Sequence, residues 1–521
     1  MADAQREVEL KLQLNPGDVA RLQEHPALRR GAIGPAKVQH LRSVYFDTPD
    51  LALAQAGISL RLRSGGPQQI QTVKWGERER GGLYDRGELE LPVPGERPDL
   101  QALPDELLRA RILALISGQV LEPVFETDMR RTHRSMRDGA DAWDVDLDEG
   151  EIRAGSESER ICELELELCA GERARLYEVA LELAQSFDLW PGTRSKADRG
   201  YALRSGECGA PQKASEIELP GDATLDAALR EIGHSCLAQI AGNAESAWEG
   251  SEPEAVHQMR VGVRRMRSYF TVFRPVLPGE QADLLEDHLR WLARELGAVR
   301  DLDVFVEELL ARILSVRRDD KALAAFRDGA EALRDEHKAK LREVLRSRRY
   351  TRLVLELGHW IERATWLQQP LSERSALLFQ RADVFASDAL GRLHRKAERI
   401  GRDAIHGPPS VRHELRIQLK KLRYVTEFFR SFYGKRELRR YLKRLERIQD
   451  LLGSLNDAET SARVLEELLQ RLEAEPLHSA QVRAAGFVEG FAARRDERAQ
   501  DKLTEQWQRF ERAQCFWEPD V

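Results

Sequence analysis

Charged and apolar residues alternate strictly along Glu7-Val8-Glu9-Leu10-Lys11-Leu12. That is the period of a strand whose faces look in opposite directions. The same period returns at His40–Asp47, Ile58–Arg63, Gln69–Lys74, Arg86–Leu91, Val124–Arg134, Trp143–Asp148 and Ile161–Leu168. Turn signals separate these runs at Asp47-Thr48-Pro49-Asp50, Gly65-Gly66-Pro67, Gly81-Gly82 and Glu149-Gly150. Helical stretches are predicted from Pro16 to about Leu28, near Pro104–Ile116, and from about Arg173 to Phe187. Eight or so strands with few helices predict an α+β domain rather than a parallel βαβ fold.

After a linker over 205–219 the period changes to that of a helix and stays so to about residue 515. Two domains are therefore expected, 1–204 and 220–515. The second carries an internal repeat. Val256–Arg267 matches Arg412–Arg423 at an offset of 156 residues, and the same offset aligns Phe273 with Phe429, Leu296-Gly297 with Leu452-Gly453 and Asp301 with Asp457. In each copy the basic positions share one helix face: His257, Arg260, Arg264 and Arg267 in the first, His413, Arg416, Lys420 and Arg423 in the second. A solvated basic face usually alternates with Glu at i,i+4, and these stripes hold almost no acid. If the repeats pack about a pseudo-twofold, the stripes face each other and line a basic channel. The charged stretch Asp320–Arg348 between the copies is expected to form a long, solvent-exposed hairpin.

With 521 residues, 42% hydrophobic and 32% charged, the chain suits a multidomain globular protein. A net charge of −7 argues against a general nucleic-acid binder. Cysteines 162, 169, 208, 236 and 515 lack CxxC spacing and suit reduced thiols, so a cytoplasmic location is expected. No signal peptide and no bilayer-spanning apolar run is evident, so no membrane partner is expected.

The strand faces carry the chemistry. They collect the acids Glu7, Glu9, Glu88, Asp148, Glu163 and Glu165, and the bases Lys11, Arg61, Arg63, Lys74, Arg131, Lys196 and Arg199. One charged strand alone is ordinarily a solvent face. Here whole acidic runs (Glu163, Glu165, Glu167) and basic runs (Arg61, Arg63) occupy separate strands. Like charges two residues apart repel, so each run needs a counter-ion: a triphosphate for the arginines, a divalent cation for the carboxylates. Arg130 and Arg131 cannot both face the same way, and alternation with His133 selects Arg131. Asp144, Asp146 and Asp148 share a face. No Walker-type GxxxxGK[ST] and no Ser or Cys nucleophile constellation is present.

Glu7-Val-Glu-Leu-Lys11 resembles the ExExK signature of the CYTH, or triphosphate tunnel metalloenzyme, superfamily. Tyr45-Phe-Asp-Thr48, Leu60-Arg-Leu-Arg63, Thr72-Val-Lys74, the acidic strand at Glu163 and Ser195-Lys196…Arg199-Gly-Tyr201 follow in the family's order. The resemblance implies an eight-stranded antiparallel tunnel. In it Lys11, Arg61, Arg63, Lys74, Arg131, Lys196 and Arg199 would grip phosphates. Glu7, Glu9, Asp148, Glu163 and Glu165 would hold Mg²⁺ or Mn²⁺ and position water. Glu88 would serve either the metal or orientation, and Asp148 best matches the family's position among its neighbours.

The helical half resembles the CHAD domain (conserved histidine α-helical domain), which implies binding of inorganic polyphosphate on the basic face, with His257 and His413 adding hydrogen bonds, and charge when protonated. Hydrolysis of inorganic triphosphate is the expected activity. Adenylate cyclase, an organic (thiamine or nucleoside) triphosphatase, or a non-catalytic polyphosphate-targeting protein are the alternatives.

Overall fold

The computed structural model describes residues 5–66, 68–206, 210–249, 252–277, 279–472 and 479–517; Pro67 and Cys208 lie outside them. Eight strands form the core of the N-terminal part: β1 Gln5–Leu14, β2 Lys37–Asp47, β3 Ile58–Ser64, β4 Gln69–Glu79, β5 Leu83–Val93, β6 Glu122–Asp138, β7 Asp141–Ala154 and β8 Glu157–Ala170. All pair antiparallel in the order β5-β4-β3-β2-β6-β7-β8-β1, and a β1–β5 pairing closes the sheet into a barrel. A short β9, Leu189–Pro191, adds to the end of β1.

Closure decides which way the charges point. Helices cover the apolar strand faces from outside. Leu10, Leu12, Leu164 and Leu166 pack with Leu176, Tyr177 and Leu183 of helix Ala174–Ala184. Leu60, Leu62, Val73 and Leu89 pack with Leu108, Ile112 and Ile116 of helix Glu106–Ile116. The alternate, charged residues are left to face inward. Both faces are thus buried, and Glu9, Lys11 and Glu163 are each 2–3% exposed. The solvent face expected of a lone charged strand is absent from these positions.

Two local expectations are corrected. Glu149-Gly150 is not a turn, since β7 runs through it to Ala154. A Cβ at Gly150 would lie 2.1 Å from the Asp128 carbonyl oxygen, so this glycine admits the backbone of β6. The chain turns instead at Gly155, whose φ is +62°. The span 320–348 is no exposed hairpin either. It holds one helix, Lys321–Leu345, whose Leu323, Phe326, Ala330 and Leu333 enter a core with Leu302, Phe305 and Val464.

The chain divides into two compact units. One comprises residues 1–212, 237–246 and 345–363; the other comprises 213–236, 247–344 and 364–521. The first unit thus takes in the helix Arg348–Arg363, far from the barrel in sequence. Its Thr351 hydroxyl donates to the Leu189 carbonyl, and its Gly358 sits against the Tyr177 ring. A Cβ at 358 would fall 2.3 Å from that fully buried ring. Gly358→Val is therefore expected to destabilise this unit by about 2 kcal/mol through overpacking. Urea unfolding followed by Tyr and Trp fluorescence checks it; an unchanged midpoint would show that this helix does not brace the barrel.

The second unit is helical and shows the repeat as structure. Helices Pro253–Phe273 and Pro409–Phe428 begin 156 residues apart. They meet where Phe273 and Phe429 pack edge to face, with ring centroids 6.0 Å apart. No helix among the described residues is long and apolar enough to cross a membrane.

Candidate functional site

Strand register sets opposite charges across from one another inside the barrel. Glu7 of β1 faces Arg86 of β5, and Lys74 of β4 faces Glu88. Lys11 faces Glu165 of β8, and Arg131 of β6 faces Asp148 of β7. A slip of one residue would turn each of these charges into the apolar shell, so burial outside the barrel fixes the register inside it. The closing segment contributes from a helix, Lys196–Ser205. Its N-terminus is held by a Ser195/Asp198 capping box, which aims Lys196 at the β7–β8 acids.

All of these paired side chains except Asp148 line a cavity of about 170 Å³. Of the predicted site residues, Glu7, Lys11, Arg61, Arg63, Lys74, Glu88, Arg131, Glu165 and Lys196 line it. Glu9, Asp148, Glu163 and Arg199 do not. Glu9 is clamped between Arg86 and Lys11, the latter at 3.0 Å. Arg199 bonds Glu159 at 2.7 Å, Glu163 at 3.0 Å and the Arg160 carbonyl at 2.6 Å, bracing the wall from behind. Arg130 points outward to Glu149.

One side of the site is a dense ion cluster. Arg131 forks onto Asp148 at 2.7 and 2.6 Å, and reaches Asp146 at 2.6 Å and Glu165 at 2.7 Å. Lys196 joins Asp148 at 2.8 Å, Glu165 at 2.9 Å and Glu163. Lys11 also bonds Glu165. Burial alone would raise the Glu165 carboxyl, but Lys11, Lys196 and Arg131 outweigh it and hold it well below the usual range. Asp148 is likewise held low by Arg131 and Lys196 against its burial.

The other side is less neutralised. Lys74 bonds Glu7 at 2.7 and 2.8 Å and reaches Glu88 at 3.0 Å; Arg86 bonds Glu7 at 2.7 Å. Glu167 lines the same corner. Burial, then the charges of Glu7, Glu9 and Glu88, push its carboxyl up to about 8. Beside this corner, where Arg61 comes within 4.0 Å of Glu88, Arg61 and Arg63 form a cationic end. Arg61 reaches the Tyr45 hydroxyl at 3.4 Å and Glu90 at 3.7 Å. Both arginines leave Nε buried without a hydrogen bond. Burial, then Arg61 and Arg131, bring Arg63 down to about 10.

Carboxylate oxygens of Glu7, Glu88 and Glu167 lie within 4.8 Å of one another, as do those of Asp148, Glu163 and Glu165. All-oxygen donor sets of this kind fit a hard divalent cation such as Mg²⁺ or Mn²⁺. The raised Glu167 adds to the fit of the first set, because a cation there relieves like-charge repulsion that protonation otherwise relieves. Arg86, Glu90 and Tyr45 also line the cavity and were not among the sequence candidates. Arg86 and Glu90 share the face of Glu88 by alternation, so the period that selected Glu88 also points to them.

In the helical unit the two basic stripes come together. Burial, then Arg264 and, across the repeat, Arg416 bring Arg260 down to about 10, against the pull of Asp301 at 3.5 Å. Gly297 leaves room for the Arg260 guanidinium, which would lie 2.8 Å from a Cβ there. Burial, then Arg300, Arg264 and Lys420, press His257 down to about 4, so it is neutral at neutral pH. The side chain of Asp457 lies outside the described residues.

A closed antiparallel barrel with a charged bore, followed by a twice-repeated helical unit, defines the class of this protein. Comparison with known families names both parts: residues 5–201 match the CYTH domain and residues 231–466 the CHAD domain. The chain therefore carries a CYTH domain followed by a CHAD domain. Over 200 residues it is 30% identical to an inorganic triphosphatase of Haemophilus influenzae, covering 38% of this chain and 55% of that one. The match thus spans about half of that relative's length. Over 414 residues it is 26% identical to an uncharacterised protein of Mycobacterium tuberculosis, covering 74% of this chain and 75% of that one. The crystal structure of the CHAD domain from the plant Ricinus communis is similar with a TM-score of 0.51 and 32% identity, covering 58% of this chain and 97% of that one.

Proposed function

We propose that the barrel hydrolyses inorganic triphosphate to pyrophosphate and phosphate, with Mg²⁺ or Mn²⁺. One observation carries this reading: a single cavity sets the cationic end, Arg61 and Arg63, against the acidic corner, Glu7, Glu88 and Glu167. Phosphoanhydride cleavage is mainly positioning and charge neutralisation. Arg61, Arg63, Lys74, Arg131, Lys11 and Lys196 would bind and straighten the phosphate chain. Glu7, Glu88 and Glu167 would hold a divalent cation, with the Asp148, Glu163 and Glu165 set as a second candidate. Such a cation supplies charge neutralisation at phosphate oxygens and lowers the pKa of water. Glu9 and Arg199 act from behind, fixing Lys11 and Glu163.

An inorganic chain is favoured because the lining residues are charged or carry a hydroxyl, apart from Ala197. The similarity to a relative named as an inorganic triphosphatase points the same way. We assign the two stripes of the helical unit, His257, Arg260, Arg264 and Arg267 with His413, Arg416, Lys420 and Arg423, to binding inorganic polyphosphate. Phosphate release from tripolyphosphate with Mg²⁺ or Mn²⁺ is expected, and loss of it on chelation or in Glu7→Ala plus Glu9→Ala. A panel with ATP, thiamine triphosphate and tripolyphosphate decides the substrate, and cyclic AMP from ATP would identify a cyclase instead. No metal-dependent turnover of any of these would leave only the binding role.

A further inference from the structure

Positive charge in the helical unit is not confined to the two stripes. A groove of about 470 Å³ opens where the end of helix Pro253–Phe273 passes the helix Ala382–Ala404. Its floor is apolar, with Val272, Pro275, Ala389 and Leu393, and its rim carries Arg274, Arg374, Arg392 and Lys396. Two rim cations are already neutralised: Arg274 by Asp283 and, at 3.8 Å, Glu286, and Arg392 by Asp388. Arg374 and Lys396 are exposed and have no carboxylate within 4.0 Å among the described residues.

The groove adjoins both stripes. Thr271, which lines it, donates to the Arg267 carbonyl one turn earlier at 2.9 Å, and Gln418, one turn before Lys421, donates to the carbonyl of the groove residue Leu393 at 3.0 Å. Lys421 stands one residue off the second stripe, and burial, then Lys396 and Arg267, lower its pKa. Neither Lys421 nor Arg267 has a carboxylate within 4.0 Å among the described residues. Glu286 is near both of them, yet it is shared with Arg274. Arg267, Lys421, Lys396 and Arg374 are thus four cations without an ion pair of their own among the described residues. Cations that recur along a groove without carboxylate partners are suited to a linear polyanion whose charges recur along its length.

We propose that the polyphosphate track extends beyond the two stripes, over Lys421, into the groove bounded by Lys396 and Arg374, so that longer chains gain contacts that shorter ones cannot reach. This rests on the polyphosphate reading of the stripes. The extension makes chain length a determinant of affinity: phosphates past the stripes meet exposed cations, each adding a modest, salt-sensitive increment.

Binding of a short and a long polyphosphate fraction to the full chain tests this. Arg374→Ala plus Lys396→Ala is compared with Arg260→Ala plus Arg416→Ala, and thermal melts serve as the fold control. The groove variant is expected to lose about fivefold in affinity for the long fraction, with a shallower salt dependence, and to bind the short fraction as the parent does. The stripe variant is expected to lose both. Equal binding of both fractions by the groove variant and the parent would overturn the extension and leave the stripe reading standing. Failure of the parent to bind either fraction at low salt would overturn both. A groove variant that loses affinity for a polyglutamate of matched charge but not for long polyphosphate would assign the groove to an acidic peptide and overturn the extension.

Discussion

Replacing Arg131 with methionine is expected to lower barrel stability by about 3–5 kcal/mol at neutral pH, the loss typical when one partner of a buried ion cluster is removed. The loss follows from what remains. Asp148 is fully buried, Asp146 and Glu165 are nearly so, and each relies on the Arg131 fork. Lys196 still reaches Asp148 and Glu165, but a single ammonium cannot satisfy the oxygens that a planar guanidinium bridges. Arg131→Lys should therefore recover only part of the loss.

The pH dependence follows from the direction of the shifts. Asp148 and Glu165 are held below their unfolded values in the folded chain. Their contribution is present above the ordinary carboxylate range and is lost as pH falls through their folded pKa values. Without Arg131 both carboxyls rise toward that range. The gap between parent and variant should then be widest near neutrality and narrow in acid. Urea unfolding at several pH values measures this. A variant as stable as the parent at neutral pH would show that the cluster does not depend on the guanidinium.

This cluster also shows how far the sequence could be read. Period-2 alternation located all eight barrel strands and chose Arg131 over Arg130. It could not say by itself whether a charged face meets water or the bore, since the same pattern serves both. The repetition of unmixed acidic and basic runs made that choice, and closure of β1 onto β5 is its physical cause. Gly150 was misleading because a glycine that admits a neighbouring backbone and one that turns the chain look alike in sequence. Charge density along 320–348 concealed the apolar stripe Leu323, Phe326, Ala330, Leu333. The packing of helix Arg348–Arg363 into the barrel's unit is a long-range contact that no local period encodes. Within the site, Arg86 is the clearest omission. It faces Glu7 in register and bonds both acids of the opening motif.

That contact separates the two acids of Glu7-Val-Glu9. Glu9 is bracketed by Arg86 and Lys11 and lies behind the cavity, whereas Glu7 lines it beside Glu88 and Glu167. Glu167→Gln then offers the sharpest test of the proposed cation site. The Glu167 carboxyl, raised to about 8, keeps its proton in the folded metal-free chain where an unfolded chain has lost it. The folded state thus binds more protons between the ordinary carboxylate range and about pH 8. By linkage, metal-free stability falls as pH rises through that window and levels off above it. Glu167→Gln removes this slope, and near pH 8 the metal-free variant should be at least as stable as the parent.

Turnover should move the other way. Outer-sphere partners of a metal typically contribute 10- to 100-fold in affinity or activity, so a direct ligand is expected to contribute about a hundredfold or more. Glu167→Gln and Glu88→Gln should each lower triphosphate hydrolysis by at least that factor and raise the Mg²⁺ or Mn²⁺ concentration needed for half-maximal rate. Glu9→Gln should lower the rate through Lys11 while leaving the metal requirement near that of the parent. A stable Glu167→Gln protein with full activity at the parent's metal concentration would remove Glu167 from the site. It would move the cation to the set formed by Asp148, Glu163 and Glu165, where Lys196 would then have to yield its contacts.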